Sequence, residues 1–116
     1  MIRITMETNE YNEGKILIVV PSGKLDTVNA PKFSKNLEVL LIQKPKACLL
    51  DFSQVSFLSS SGLQSLLGAA KISKKEEIGF AVFNMQKMIA EVFIMSGFNQ
   101  FIQSFESKED ALAFVQ

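Results

Sequence analysis

Three short apolar runs, "KILIVV" (residues 15–20), "ACLLDF" (47–52) and "IGFAVF" (78–83), are separated by stretches whose apolar residues recur at helical spacing. Runs of this length without polar alternation suit strands covered on both faces, and a helix between successive runs suits a parallel crossover. The pattern restricts the chain to an α/β architecture with a largely parallel sheet. The first intervening stripe is Phe33, Leu37, Leu40 and Leu41, placed at i, i+4, i+7 and i+8 of one helical face. The second is Leu63, Leu66, Leu67 and Ala70, and the third is Met85, Met88, Ile89, Val92 and Phe93.

The punctuation agrees with this division. Alternation over residues 2–6, then the polar "NEYNEG", predicts an antiparallel hairpin that closes on "KILIVV". Pro21, Ser22 and Gly23 are expected to break or bend that second strand. Pro31, behind Asn29 and Ala30, suits the first turn of a helix reaching about Gln43, where Pro45 stops it. Gly97 is placed to end the third helix in a left-handed conformation. "NQFIQSF" supplies a last short strand, and "SKED" opens a last helix with Ser107 as cap and Asp110 three positions on. The expectation is one domain over residues 1–116, a mixed sheet of about five strands with four helices.

Composition narrows the function classes. Twelve basic and twelve acidic residues cancel, and only short clusters such as Lys74-Lys75-Glu76-Glu77 break the mixture. No basic surface calls for direct nucleic-acid binding or anionic lipid, so the expected partner is a protein or a small molecule. The one cysteine, Cys48, sits in an apolar run and reads as a small buried hydrophobe; an intrachain disulfide is impossible. No apolar run has the length of a signal core or a membrane span, which gives the expectation of a soluble, cytoplasmic chain without membrane attachment. Histidine is absent, removing the usual general base and the commonest metal ligand; no metal or other cofactor is expected.

Against that background "DFSQVSFLSSSGLQSLLGAAK" (residues 51–71) stands out, because Ser59, Ser60 and Ser61 fill the turn before the second helix. Free N–H groups and the positive end of the helix dipole lie at such a turn, so a hydroxyl can cap it and an added phosphate is electrostatically favoured. One serine capping the helix while the others fill a polar turn is the plain structural alternative. A nucleophilic serine is disfavoured: "SSSGL" lacks the first glycine of G-x-S-x-G, no S-x-x-K begins in the turn, and no histidine exists to activate it. The G-x-x-x-x-G-K-[ST] phosphate loop is missing too. No catalytic residue is therefore assigned, and the chain is not expected to be an enzyme. Asp51 reads as a turn residue at the end of a buried strand. Gly62 either leaves room for the close approach of a partner or is a permissive turn residue. Asp26 either contacts a partner beside the serines or caps its own turn. The third-helix methionines read as core packing, with a flexible interface as the alternative.

The same stretch resembles the signature D-x-S-x-V-x-F-[hydrophobic]-D-S-S-G-L of STAS domains, in particular the bacterial anti-sigma factor antagonists. "GKLD" (23–26) resembles that family's G-x-L-D before the first helix, and "FIMSGF" (93–98) is similar to its F-x-x-S-G at the end of the third. The resemblance implies a protein switch that controls sigma-factor-dependent transcription by partner exchange. In such a switch an anti-sigma factor that is also a serine kinase binds the antagonist, phosphorylates it and so weakens the complex, and a serine phosphatase restores it. Carried over by position, the acceptor is Ser60, with Ser59 and Ser61 as secondary candidates, and the partner-binding residues are Asp26, Ser59, Ser60, Ser61 and Gly62. The chain departs from the signature at Ser59, where the family carries aspartate. A STAS scaffold or accessory subunit that has lost phosphorylation is the alternative this departure favours.

Overall fold

A computed structural model describes residues 3–11 and 14–115. Two strands open the chain, β1 (Arg3–Tyr11) and β2 (Gly14–Leu25), paired antiparallel from Arg3 opposite Ser22 to Tyr11 opposite Gly14. Helix α1 (Ala30–Ile42) leads to β3 (Ala47–Asp51), a short β4 (Val55–Leu58) and helix α2 (Ser60–Lys75). Then come β5 (Gly79–Phe83), α3 (Lys87–Met95), a 3₁₀ turn at Phe98–Gln100, β6 (Gln103–Phe105) and α4 (Lys108–Val115). The sheet order is β1-β2-β3-β5-β6, with every pairing after the hairpin parallel. This is the expected mixed α/β sheet with four helices.

Alternation along the buried strands divides the interior into two layers, because successive side chains leave a strand on opposite faces. Val19, Cys48, Leu50, Phe80 and Val82 face α1, α2 and α3, meeting Phe33, Leu37, Leu66, Ile89 and Phe93. Ile16, Ile18, Leu49, Ala81 and Phe83 face the other way, toward Ala111 of α4. Each large apolar side chain so enclosed contributes roughly 1.5–3 kcal/mol of transfer free energy. Cys48 is fully buried in the first layer, as its apolar surroundings in sequence predict, and burial pushes its thiol up to about 12.

Several boundaries differ from the sequence reading. Strand β1 runs on to Tyr11, into the "NEYNEG" stretch expected as turn; Ile2 lies outside the described residues. Residues 21–23 bend β2 without breaking it. Pro21 still pairs with Ile4, and at Gly23 (φ +118°) the register shifts as the strand leaves β3 and takes β4 as its parallel neighbour. Strand β4 itself was not anticipated. The buried side of α2 is Gly62, Leu63, Leu66, Ala69 and Ser73, with Leu67 and Ala70 only partly covered. In α3 only Ile89 and Phe93 are buried; Met85 packs on the core edge, but Met88 stands exposed, which corrects the core assignment of the methionines. In "NQFIQSF", Asn99 and Gln100 belong to the 3₁₀ turn and only Gln103–Phe105 form a strand.

The caps follow the sequence more closely. Asn29 precedes α1 with Pro31 in its first turn, Gly97 is left-handed at φ +82°, and the Asp110 N–H donates to Ser107 Oγ at 3.1 Å.

Candidate functional site

The serine turn sits where the end of β2, the start of α1 and the start of α2 converge. Ser59 is extended (φ −93°, ψ 173°) and is the N-cap of α2; its Oγ accepts from the Gly62 N–H at 3.2 Å. The same hydroxyl donates to the Leu25 carbonyl at 3.0 Å, and the Ser59 N–H donates to that oxygen at 2.9 Å. Ser59 is therefore a structural tie between α2 and the bent end of β2. An aspartate at this position can cap but cannot make the donor half of that tie.

Ser60 is the first residue of α2 and is exposed. Ser61 is half-buried, and its Oγ lies 3.3 Å from Thr27 Oγ1 in the loop before α1. Ser65, one turn on, donates to the carbonyls of Ser61 (3.2 Å) and Ala30 (3.3 Å), joining the two helices. The three serines thus have separate positions: one ties the turn to β2, one faces solvent and one bridges to the loop.

Gly62 is buried and faces inward. A Cβ there would lie 2.6 Å from the Leu25 carbonyl oxygen and 3.0 Å from Leu58 Cδ1, so the glycine allows α2 to approach its own β2 strand. Asp26 caps its own turn, its carboxylate accepting from the Asn29 N–H at 3.0 Å, while the Asn29 side chain donates to the Lys24 carbonyl at 2.9 Å. Asp51 is the turn residue expected, accepting from the Ser53 N–H at 2.9 Å.

Electrostatically the turn is an uncompensated positive helix end. The first turn of α2 has no acidic residue, whereas Lys74 and Lys75 already serve its C-terminus. Beside it, Thr27, Ala30, Ser34, Ser61 and Gln64 help line an open depression between α1 and α2 that bears no charged side chain. Thr27 was passed over in the sequence; its signal was its position directly behind "GKLD". Two exposed apolar side chains, Val28 in that loop and Phe57 on β4 just before the serines, were missed as well. Such an arrangement can accept a partner or a phosphate. Among the described residues no group of three or more His, Cys, Asp or Glu side chains is placed to hold a metal, and no helix is long and apolar enough to cross a membrane.

Comparison with known proteins follows the same lines. The anti-sigma-B factor antagonist of Listeria monocytogenes is 26% identical over 102 residues, spanning 88% of this chain and 89% of that one. An anti-sigma factor antagonist from Mycobacterium paratuberculosis, solved by crystallography, superposes with a TM-score of 0.78 at 27% identity, covering 97% of this chain and 94% of the other. The unphosphorylated form of the anti-sigma factor antagonist SpoIIAA shares the fold, with a TM-score of 0.72 at 18% identity and 96% of both chains covered. The STAS domain model matches residues 6–111, nearly the whole length, and the chain belongs to the STAS domain family.

Proposed function

We propose that the chain is an anti-sigma factor antagonist. It binds an anti-sigma factor that is also a serine kinase, in the cytoplasm, and a serine phosphatase reverses the modification; the chain acts by binding and not by catalysis. The observation that carries this reading is the exposed hydroxyl of Ser60 on the first residue of α2, at an end of the helix with no acidic residue in its first turn. The names of the Listeria and Mycobacterium relatives support the same partner class. A phosphate adds roughly −1.5 to −2 charges, which the helix N-terminus favours and which a partner surface fitted to a neutral hydroxyl repels. Ser60 is the acceptor in this reading. Ser59 is engaged at both ends of its hydroxyl, and Ser61 is turned toward Thr27. Asp26, through the loop it caps, together with Ser60 and Ser61, forms the contact surface.

The test is pull-down of the native chain from extract of its own cells, then phosphopeptide mapping after addition of ATP. A co-purifying kinase and phosphate on Ser60 are expected; phosphate confined to Ser59 or Ser61 would move the site. Ser59 in place of the family aspartate favours a second reading, a STAS scaffold or accessory subunit without phosphorylation. Recovery of a stable complex whose members never phosphorylate the chain would select it.

A further inference from the structure

Strand β6 ends the sheet, and one side of it is open. It pairs in parallel with β5, Val82 opposite Ser104, and the Asn84 N–H donates to the Phe105 carbonyl at 3.3 Å. Backbone groups alternate in direction along a strand, so Gln103 and Phe105 turn theirs inward to β5. Ser104, between them, turns its N–H and C=O outward, where no further strand lies among the described residues. Gln103, Ser104 and Glu106 are all exposed, so this edge is open to solvent.

The same edge is one wall of a groove. Lys87, Ala90 and Ile94 of α3 form the other wall, and Ser104, Phe105 and Glu106 run along β6, enclosing about 550 Å³. Ile94 is 57% exposed and makes the α3 wall apolar. Lys87 and Glu106 stand on opposite walls, and no ion pair joins them. An outward N–H and C=O on one residue are matched together by an extended backbone, which carries the same donor and acceptor at the same spacing. A small acid or a lipid headgroup takes the donor and leaves the carbonyl without a partner. We infer that the groove between α3 and β6 is a docking site for an extended peptide segment of a partner protein, added as a strand beyond Ser104. Its backbone pairs with Ser104, an apolar side chain packs on Ile94, and flanking acidic and basic side chains meet Lys87 and Glu106. In strand addition of this kind main-chain hydrogen bonds supply affinity and the groove supplies specificity. The inference is independent of the sigma-factor reading.

Titration of a synthetic peptide into the isotope-labelled full chain, followed by amide NMR, tests it. The probe is capped at both ends and carries valine, isoleucine and valine between an aspartate and an arginine. The control is the same peptide N-methylated on its three apolar residues, which keeps the side chains and removes their backbone donors. With the probe, the Ser104 amide should shift and gain protection from hydrogen exchange, with a dissociation constant on the order of 1 mM or below. The control should bind at least about tenfold more weakly. Ser104→Pro deletes the outward donor and no bond to β5, and Ile94→Asp changes only the exposed wall. Each should melt like the parent and weaken the probe at least about tenfold; if the proline variant unfolds, Ile94→Asp decides. Lys87→Glu should weaken the probe and favour a peptide with lysine in place of its aspartate. No change at Ser104 with the probe at about 5 mM, or shifts centred away from α3 and β6, overturns the inference. Equal binding of probe and control overturns it as well, because backbone pairing then contributes nothing.

Discussion

The Ser59 hydroxyl donates to the carbonyl oxygen of Leu25 at 3.0 Å, across 34 residues of sequence. Because the Ser59 Oγ also accepts from the Gly62 N–H, Ser59 caps α2 and fastens it to β2 at once. Ser59→Ala removes both interactions and should lower stability by about 1–2 kcal/mol in urea titration. Ser59→Asp restores only the cap and sets a carboxylate against a carbonyl. It should be no more stable than the parent, although aspartate and serine are comparable caps. An aspartate variant more stable than the parent would show that the Leu25 bond contributes nothing.

Two glycines of α2 should respond in opposite directions. Gly62→Ala forces a methyl to within 2.6 Å of the Leu25 carbonyl and should cost about 2 kcal/mol or more. Gly68→Ala, exposed with nothing within 4 Å, should gain about 0.5–1 kcal/mol from helix propensity. Equal effects in paired denaturation curves would contradict the close approach of α2 to β2.

Ser73 is 1% exposed on the inner face of α2, and its Oγ has no hydrogen-bond partner. Ser73→Ala removes an unsatisfied hydroxyl from an apolar layer and should raise stability by about 1 kcal/mol. A loss of stability in the same assay would mean that this hydroxyl has a partner in solution.

Those residues also mark how far the sequence could be read. Leu37, Leu66 and Phe93 announced their helices because a core-facing stripe is a local, periodic signal. Strand β4 was invisible: its four residues pair with β2 through contacts some thirty positions away, and no short window records such a pairing. The exposed methionines of α3 were misread for a related reason, since apolar spacing shows that a face is apolar without showing that anything covers it. At the site, the serine triplet and its helix end were legible. The division of labour among Ser59, Ser60 and Ser61 was not, because it depends on where Leu25 and Thr27 arrive from another part of the chain.

Cys48 gives a pH-dependent test of the core. Its folded-state value of about 12 lies above the ordinary 9.0, so the thiol stabilises the fold fully below about pH 9, and that contribution is lost as pH rises toward 12. Stability of the parent should therefore fall faster above pH 9 than that of Cys48→Ala, the less stable variant at neutral pH because of its cavity. A thiol reagent should label Cys48 only in denaturant. Parallel stability–pH curves for the two proteins would contradict a buried, protonated thiol.

The central claim is that charge added at Ser60 weakens partner binding while leaving the fold intact. Calorimetric titration of the parent, Ser60→Ala and Ser60→Asp against the anti-sigma partner recovered from the same cells, with thermal melts alongside, tests it most directly. A carboxylate in the first turn gains about 0.3–1 kcal/mol from the helix dipole, so Ser60→Asp should melt no lower than the parent. It should nevertheless bind at least about tenfold more weakly, a loss of roughly 1.4 kcal/mol, while Ser60→Ala retains affinity and escapes phosphorylation. Equal affinity of the Asp and Ala variants would contradict the electrostatic switch, and a large drop in melting temperature for Ser60→Asp alone would show that this serine serves the fold instead.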